Sequence, residues 1–362
     1  MSADLVFHAA LAWLVVVVCG RLLGKTAGAL GQPAVIGEVL SGIMLGPSLL
    51  GWVVPGSETY LFPPSVRPVL AAVAQTGVVL YMFLVGLEFD RGLLRKRTGS
   101  LVLTSQAAIL APFVLGCLLA VTMLAPMQPA HASRTSFVLF MGLALSITAF
   151  PVLARILTDR GLTRTELGVS ALTCAAVNDV MAWALLAIVV GITRAMPTSG
   201  VPGELVIAFA IGVVIPHDGA FARTATRWLS GVVAVLLLPA FFALTGLRTQ
   251  IALVSSASDW AMCGVIVLAA TVGKMGGAAV ASRLSGTTWR FAAQLGALMN
   301  TRGLMELIVL AVGLDAGIIS PALFTMMVIM AIVTTAMTGP LLGLIAAGGE
   351  GDRQNREERA HA

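Results

Sequence analysis

Apolar runs separated by short polar segments organise the chain from one end to the other. Eleven runs read as candidate membrane spans: 5–23, 34–50, 69–87, 101–124, 137–157, 167–192, 205–215, 228–247, 260–281, 291–314 and 323–347. Most reach the ~20 residues a helix needs to cross the hydrocarbon core. The second is short and rich in glycine. The seventh is shorter still, and by length alone fits a re-entrant piece as well as a crossing. Run 5–23 lacks the basic start and small-residue cleavage site of a signal peptide and reads as a spanning helix.

Loop charge decides between the two readings of 205–215. With the N-terminus outside, the loops facing the cytoplasm hold Arg21 and Lys25, the cluster Arg91–Arg97, Arg155, Arg160 and Arg164, Arg223 and Arg227, Arg283 and Arg290, and the arginines of the tail. The outer loops hold Arg67, Arg134, Arg194 and Arg248 alone. This is a strong positive-inside bias. It would be lost if 205–215 did not cross. The sequence therefore predicts an all-α polytopic membrane protein of about eleven spans, N-terminus out and C-terminus in, at the plasma membrane. A membrane region 1–348 is followed by a polar cytoplasmic tail, 349–362, with no GxGxxG nucleotide fold after it.

Composition agrees. Of 362 residues, 58% are hydrophobic and 11% charged, against about 25% charged in a soluble domain; mean hydropathy is +0.97. A net charge of +5 does not point to nucleic acid, because the basic residues are spread over short loops rather than gathered in a patch. Cys19, Cys117, Cys174 and Cys263 all fall within apolar runs and read as small hydrophobes, not as disulfides or metal ligands. The histidines avoid the middle of every span, which argues against a histidine metal site. No cofactor is indicated.

Four charges stand where the bilayer makes them costly. Asp179 lies 12 residues from the start and 13 from the end of 167–192. Lys274, Arg302 and Glu306 lie within the ninth and tenth runs, the last two four residues apart and so on one helix face. Each costs about 2.5–3.5 kcal/mol on insertion scales unless paired or wetted. One account is mutual neutralisation in internal salt bridges. For Asp179 a second account is stronger, since no basic residue lies within a turn of it. Desolvation disfavours the charged form of such an acid, which suits a proton carrier near neutral pH. The same carboxylate, once deprotonated, can hold a small cation, so proton and cation compete for one place. Glu38 and Glu88 are nearer the interfaces and read as structural.

Two polar breaks interrupt the helical pattern. In SITAFPVLARIL (146–157), Pro151 removes a backbone donor and disfavours helix at Phe150. In MNTRGLMEL (299–307), Asn300, Thr301 and Gly303 fall in mid-membrane. Paired broken helices near the midplane mark a transporter site.

GQPAVIGEVLSGIMLGPSLLG (31–51), MFLVGLEFD (82–90), SITAFPVLAR (146–155), NDVMAW (178–183), LPAFFALTGLRT (238–249), the glycine-flanked Lys274 and MNTRGLMELIVL (299–310) resemble, in order, the motifs of the monovalent cation:proton antiporter-2 family, which includes Kef-type and Na⁺/H⁺ exchangers. The resemblance implies two inverted repeats (here about 1–193 and a shortened 203–348), a core and a scaffold domain, and a homodimer. It implies that Asp179 binds proton and a monovalent cation, Na⁺ or K⁺, that Asn178 stands at the companion position, and that Thr148 belongs to the first unwound helix. Lys274, Arg302 and Glu306 become supporting charges; Pro151, Asn300 and Gly303 become break positions. The chain departs from the family in two respects. Thirteen helices are usual there, and the two after NDVMAW are absent here. Position 178 is Asn rather than Asp, and one carboxylate instead of two implies one-for-one, electroneutral exchange. A transport-inactive or regulatory relative and an ion channel are the rival readings; an intramembrane enzyme lacks a nucleophile–base pair.

Overall fold

The computed structural model describes residues 3–87, 99–193, 201–215 and 219–361, and every regular element among them is helical. In chain order the helices of eight residues or more are α1 (Ala3–Ala29), α2 (Ala34–Leu45), α3 (Arg67–Leu87), α4 (Gly99–Thr122), α5 (Arg134–Ser146), α6 (Phe150–Asp159), α7 (Glu166–Thr193) and α8 (Val201–Val214). There follow α9 (Ala220–Val232), α10 (Leu238–Arg248), α11 (Ala257–Thr271), α12 (Gly277–Leu284), α13 (Trp289–Met299), α14 (Leu304–Asp315) and α15 (Pro321–His361). Single π-helical turns, Val233–Leu237 and Val272–Gly276, join α9 to α10 and α11 to α12. Glu88 and the loop charges Arg91–Arg97 lie outside the described residues.

Nine spans among the described residues are long and apolar enough to cross a membrane, and α13 with α14 forms a tenth, bent by 46°. The protein is an integral membrane protein. The predicted crossing at 205–215 is the 14-residue helix α8, which at 1.5 Å per residue covers roughly 21 Å of the ~30 Å hydrocarbon. Its packing supplies a direction. Glu204, near its start, accepts a hydrogen bond from Gln75 at 3.1 Å, and Gly212, near its end, lies against Phe83 and Gly86. The helix α8 therefore runs parallel to α3, the relation that the loop charges require.

The helices gather into two bundles. In one, α1, α2, α3, α8 and α10 pack on one another; in the other, α4, α5, α7, α11, α12, α13 and α15 do, with α6 and α14 set among them. The bundles meet mainly where α7 touches α8 and where α15 touches α2. Lipid supplies no hydrophobic drive between helices, so close backbone approach carries the packing. Gly246 of α10 lies directly on the Gly42–Ile43 backbone of α2, leaving no room for a Cβ. Gly246→Val is expected to abolish the monodisperse folded peak in size-exclusion chromatography, whereas the same change at Gly264, with open space around it, should leave it.

The last helix contains Pro340 and continues unbroken to His361, so the predicted tail extends the helix. Proline cannot bond the carbonyl four residues back, here that of Ala336. The Gln32 side-chain amide donates to that oxygen at 3.3 Å. Arg160 donates to Gly339 O at 3.0 Å. The four cysteines are free, Cys174 and Cys263 buried and Cys19 and Cys117 half-buried.

Candidate ion-binding site

Both predicted breaks are present. Residues 147–149 part α5 from α6, and 300–303 part α13 from α14. Pro151 sits at the second position of α6, where its missing N–H costs nothing. The two extended segments cross: Ala149 N–H donates to Thr301 O at 3.0 Å, and Thr148 Oγ1 to Met299 O at 3.3 Å. Gly303 faces Val152 and Ala149 so closely that a side chain there would collide with Val152.

A helix that ends inside the membrane exposes its last four carbonyls and places the negative end of its dipole there. In α5 each of the four has a side-chain donor. Ser146 Oγ bonds Leu143 O at 2.8 Å; Arg302 bonds Ala144 O through Nη1 at 2.8 Å and Leu145 O through Nη2 at 2.5 Å; Lys274 Nζ bonds Ser146 O. Lys274 reaches this point from the π-turn 272–276. Such turns break the i→i−4 ladder and recur at functional sites.

Arg302 also bonds Glu306 Oε2 at 2.6 Å, with both side chains fully buried. One expectation is corrected here. Arg302 and Glu306 do not share a helix face, because Arg302 lies in the break and only Glu306 is helical, in the first turn of α14. The pair forms because the unwound backbone lets Arg302 serve three oxygens at once. Mutual neutralisation of the four buried charges holds for this pair alone. Among the described residues no ion pair reaches Asp179, and Lys274 is engaged with a carbonyl.

At the opposite side of the first break the polarity reverses. The N-terminus of α6 presents the Phe150 N–H to the Asp179 carboxylate, the favourable end of a helix for an anion. Asp179 is 3% exposed, and its Oδ1 has no hydrogen-bond partner among the described residues. The neighbouring Asn178 amide lies 3.3 Å from both Thr148 Oγ1 and Ser105 Oγ. With the amide turned over, the Thr148 hydroxyl donates to its oxygen in place of Met299 O, and its nitrogen has Ser105 Oγ at 3.3 Å and the carbonyls of Ser105 and Cys174 at 3.2 Å as acceptors within reach. Asn178, Thr148 and Asp179 are thus brought together at the crossing. Asn300 ends α13, its Oδ1 unpartnered among the described residues. Glu38 stands apart, lining a cavity at one face of the protein.

Two polar partners carry only a weak local signature. Thr335 Oγ1 accepts from Arg302 N and donates to Arg302 O, both at 2.9 Å, pinning the second break to α15. The pointer to it is the threonine-rich stretch Thr334–Thr338 in an otherwise apolar span. Ser105 of α4 is the other, marked only by a Thr–Ser pair near the start of its span.

Along the seam between the bundles, a cavity of about 180 Å³ opens where α10 and α14 end, and another of about 250 Å³ where α1 and α6 end. These are opposite faces of the protein. Between them, at the level of Arg302 and Gly303, α2 closes the seam with Val35, Ile36 and Val39, leaving a void of only about 10 Å³.

The profile of the family described as "Sodium/hydrogen exchanger, transmembrane" matches residues 14–207 and 198–348. The chain is 39% identical to the Na(+)/H(+) antiporter NhaS4 of Synechocystis, covering 91% of this chain and 95% of that one. The identity is 36% to the Cation/H(+) antiporter 17 of Arabidopsis thaliana and 30% to the K(+)/H(+) antiporter 1 of Saccharomyces cerevisiae, over 91% and 92% of this chain. The chain spans about half the length of those two relatives, 47% and 46%. The alignment with NhaS4 runs over 388 positions, more than the whole chain has, so the relative carries segments absent here. The two profile matches overlap at 198–207. In fold, the chain is similar to the sodium proton antiporter MjNhaP1 of Methanocaldococcus jannaschii, with a TM-score of 0.64 at 13% identity over 95% of this chain and 99% of that one. With matches over most of its length, this chain belongs to the sodium/hydrogen exchanger family of transmembrane proteins, among the monovalent cation:proton antiporters.

Proposed function

We propose that the protein exchanges a monovalent cation, Na⁺ or K⁺, for a proton by alternating access, with Asp179 binding the two in turn. The observation that carries this is the state of Asp179: a buried carboxylate at the crossing of two broken helices, beside the N-terminus of α6, with its Oδ1 unpartnered among the described residues. A protonated carboxyl satisfies that place as a neutral group. A dehydrated cation satisfies it as a countercharge, with the Thr148 and Asn178 oxygens close by.

Movement of one bundle against the other would switch the site between the two cavities, which lie on opposite faces of one seam. The closed level between them, at Val35, Ile36 and Val39, supports a single site exposed to one side at a time. Arg302 and Lys274 hold the α5 terminus so that the crossing moves as a unit. A single carboxylate at positions 178 and 179 supports one-for-one exchange.

The test is reconstitution into liposomes containing a pH dye. With an imposed pH gradient, added Na⁺ or K⁺ is expected to dissipate it saturably, at a rate unchanged when the membrane potential is clamped to zero. Silence with both cations across about pH 6–9, in folded protein, would favour the regulatory reading, for which the absent family segment is the motive. Flux of cation without counter-moving protons would indicate a channel.

A further inference from the structure

The cavity at the α10/α14 end has walls from both bundles. Ala71, Gln75 and Val78 of α3 and Thr245 of α10 stand on one side, and Ile308 and Val312 of α14 on the other. From Asp315 at its rim to Ile308 on its floor, α14 descends seven residues, roughly 10 Å at helical rise. The floor is within two turns of Gly303. Arg248, at the end of α10, and Asp315, at the end of α14, bond across the rim at 2.8 Å with side chains 39% and 50% exposed. Glu204 adds a second carboxylate at this end, bonded to Gln75, which lines the cavity. Below the rim the lining is largely apolar. Among the described residues, these rim charges are the ones lining the mouth that an ion entering from this face would meet.

We propose that Arg248 and Asp315 form a charge pair that tunes how readily cations enter the exchange site from this face, Arg248 weakening the negative rim and Asp315 restoring it. This rests on the antiport reading above. An exposed pair of this kind contributes little to stability, so its presence at the mouth of a transport cavity is better matched to steering. The two residues act with opposite sign. Without Arg248, Asp315 and Glu204 face the entering cation uncompensated. Without Asp315, Arg248 cancels Glu204.

The experiment measures cation-dependent proton flux in right-side-out and everted membrane vesicles with NaCl or KCl added outside. For the vesicle orientation that presents this rim, Arg248→Gln is expected to lower the apparent KM about threefold and Asp315→Asn to raise it about threefold. Maximal rate should stay at the wild-type value, and so should KM in the other orientation. Both shifts should shrink toward wild type at about 0.3 M ionic strength, where screening acts within a few ångströms. The charge-preserving Arg248→Lys and Asp315→Glu should keep the wild-type KM. The proposal is overturned if the two neutral variants shift KM in the same direction, if the shifts are indifferent to salt, or if KM stays unchanged in folded, active variants. Absence of cation-dependent proton flux in the wild type itself would instead remove the antiport reading and this inference with it.

Discussion

Asp179→Asn is expected to reduce cation-driven proton flux about 10²-fold or more, to the level of empty vesicles, while leaving the protein folded. The magnitude follows from removing the one group that carries the proton. Preserved folding follows from geometry. Asparagine has nearly the same shape, and Asp179 Oδ1 has no hydrogen-bond partner among the described residues for the change to remove. Replacing an uncompensated buried charge by a neutral group removes a desolvation cost, so the melting temperature of the variant should equal or exceed that of the wild type. Asp179→Glu keeps the charge but moves it by about one carbon–carbon bond, and a displacement of that order costs about 10²-fold at sites needing tight positioning. Thermal unfolding in detergent and flux in liposomes, measured on the same preparations, test both statements. Retained exchange by Asp179→Asn would move the proton to another buried acid, of which Glu306 is the nearest candidate by chain and burial.

The second large effect is on folding rather than ion binding. Arg302→Met is expected to destabilise the protein by about 3–5 kcal/mol, the cost of leaving one partner of a buried ion pair alone. The change strands Glu306 and removes the donors to the Ala144 and Leu145 carbonyls together. Arg302→Lys should recover only part of the loss, since an ammonium lacks the planar fork that reaches two carbonyls and a carboxylate. Arg302→Met combined with Glu306→Leu should be more stable than Arg302→Met alone, because the stranded carboxylate is gone while only the two carbonyls remain unmet. Melting temperatures of the four proteins decide the matter. If Arg302→Met melts with the wild type, water already reaches the break and the arginine is not a structural cap.

How much of this was legible before folding can be argued residue by residue. Hydropathy marked the spans because backbone polar groups have no partner in lipid outside a helix. Loop arginines argue for α8, too short by length, as a crossing, and its parallel run along α3 accords with that. Asp179 and the breaks were visible because a midplane acid, a proline after a threonine and a glycine among polar residues are each local departures from an apolar helix. Every one of these signals is contained in a few neighbouring residues.

What folding alone decided are the partners. Three of the four donations that finish α5 come from 128 to 158 residues away, and nothing near Lys274 or Arg302 in sequence says that they cap carbonyls instead of neutralising Asp179. Four-residue spacing suggested a helical Arg302–Glu306 pair. The pair exists, but the backbone between them is unwound at its start, since the energy of satisfying three oxygens and Thr335 outweighs one turn of helix. The crossing of the two breaks, the seam with a cavity at either face, and the Arg248–Asp315 bridge across one of them also required tertiary structure. The sequence by itself determined which residues the membrane would tolerate only at a cost; the packing of distant helices determined what each of those residues was paired with, because in a medium without water that choice is made by whichever polar group the fold brings within reach.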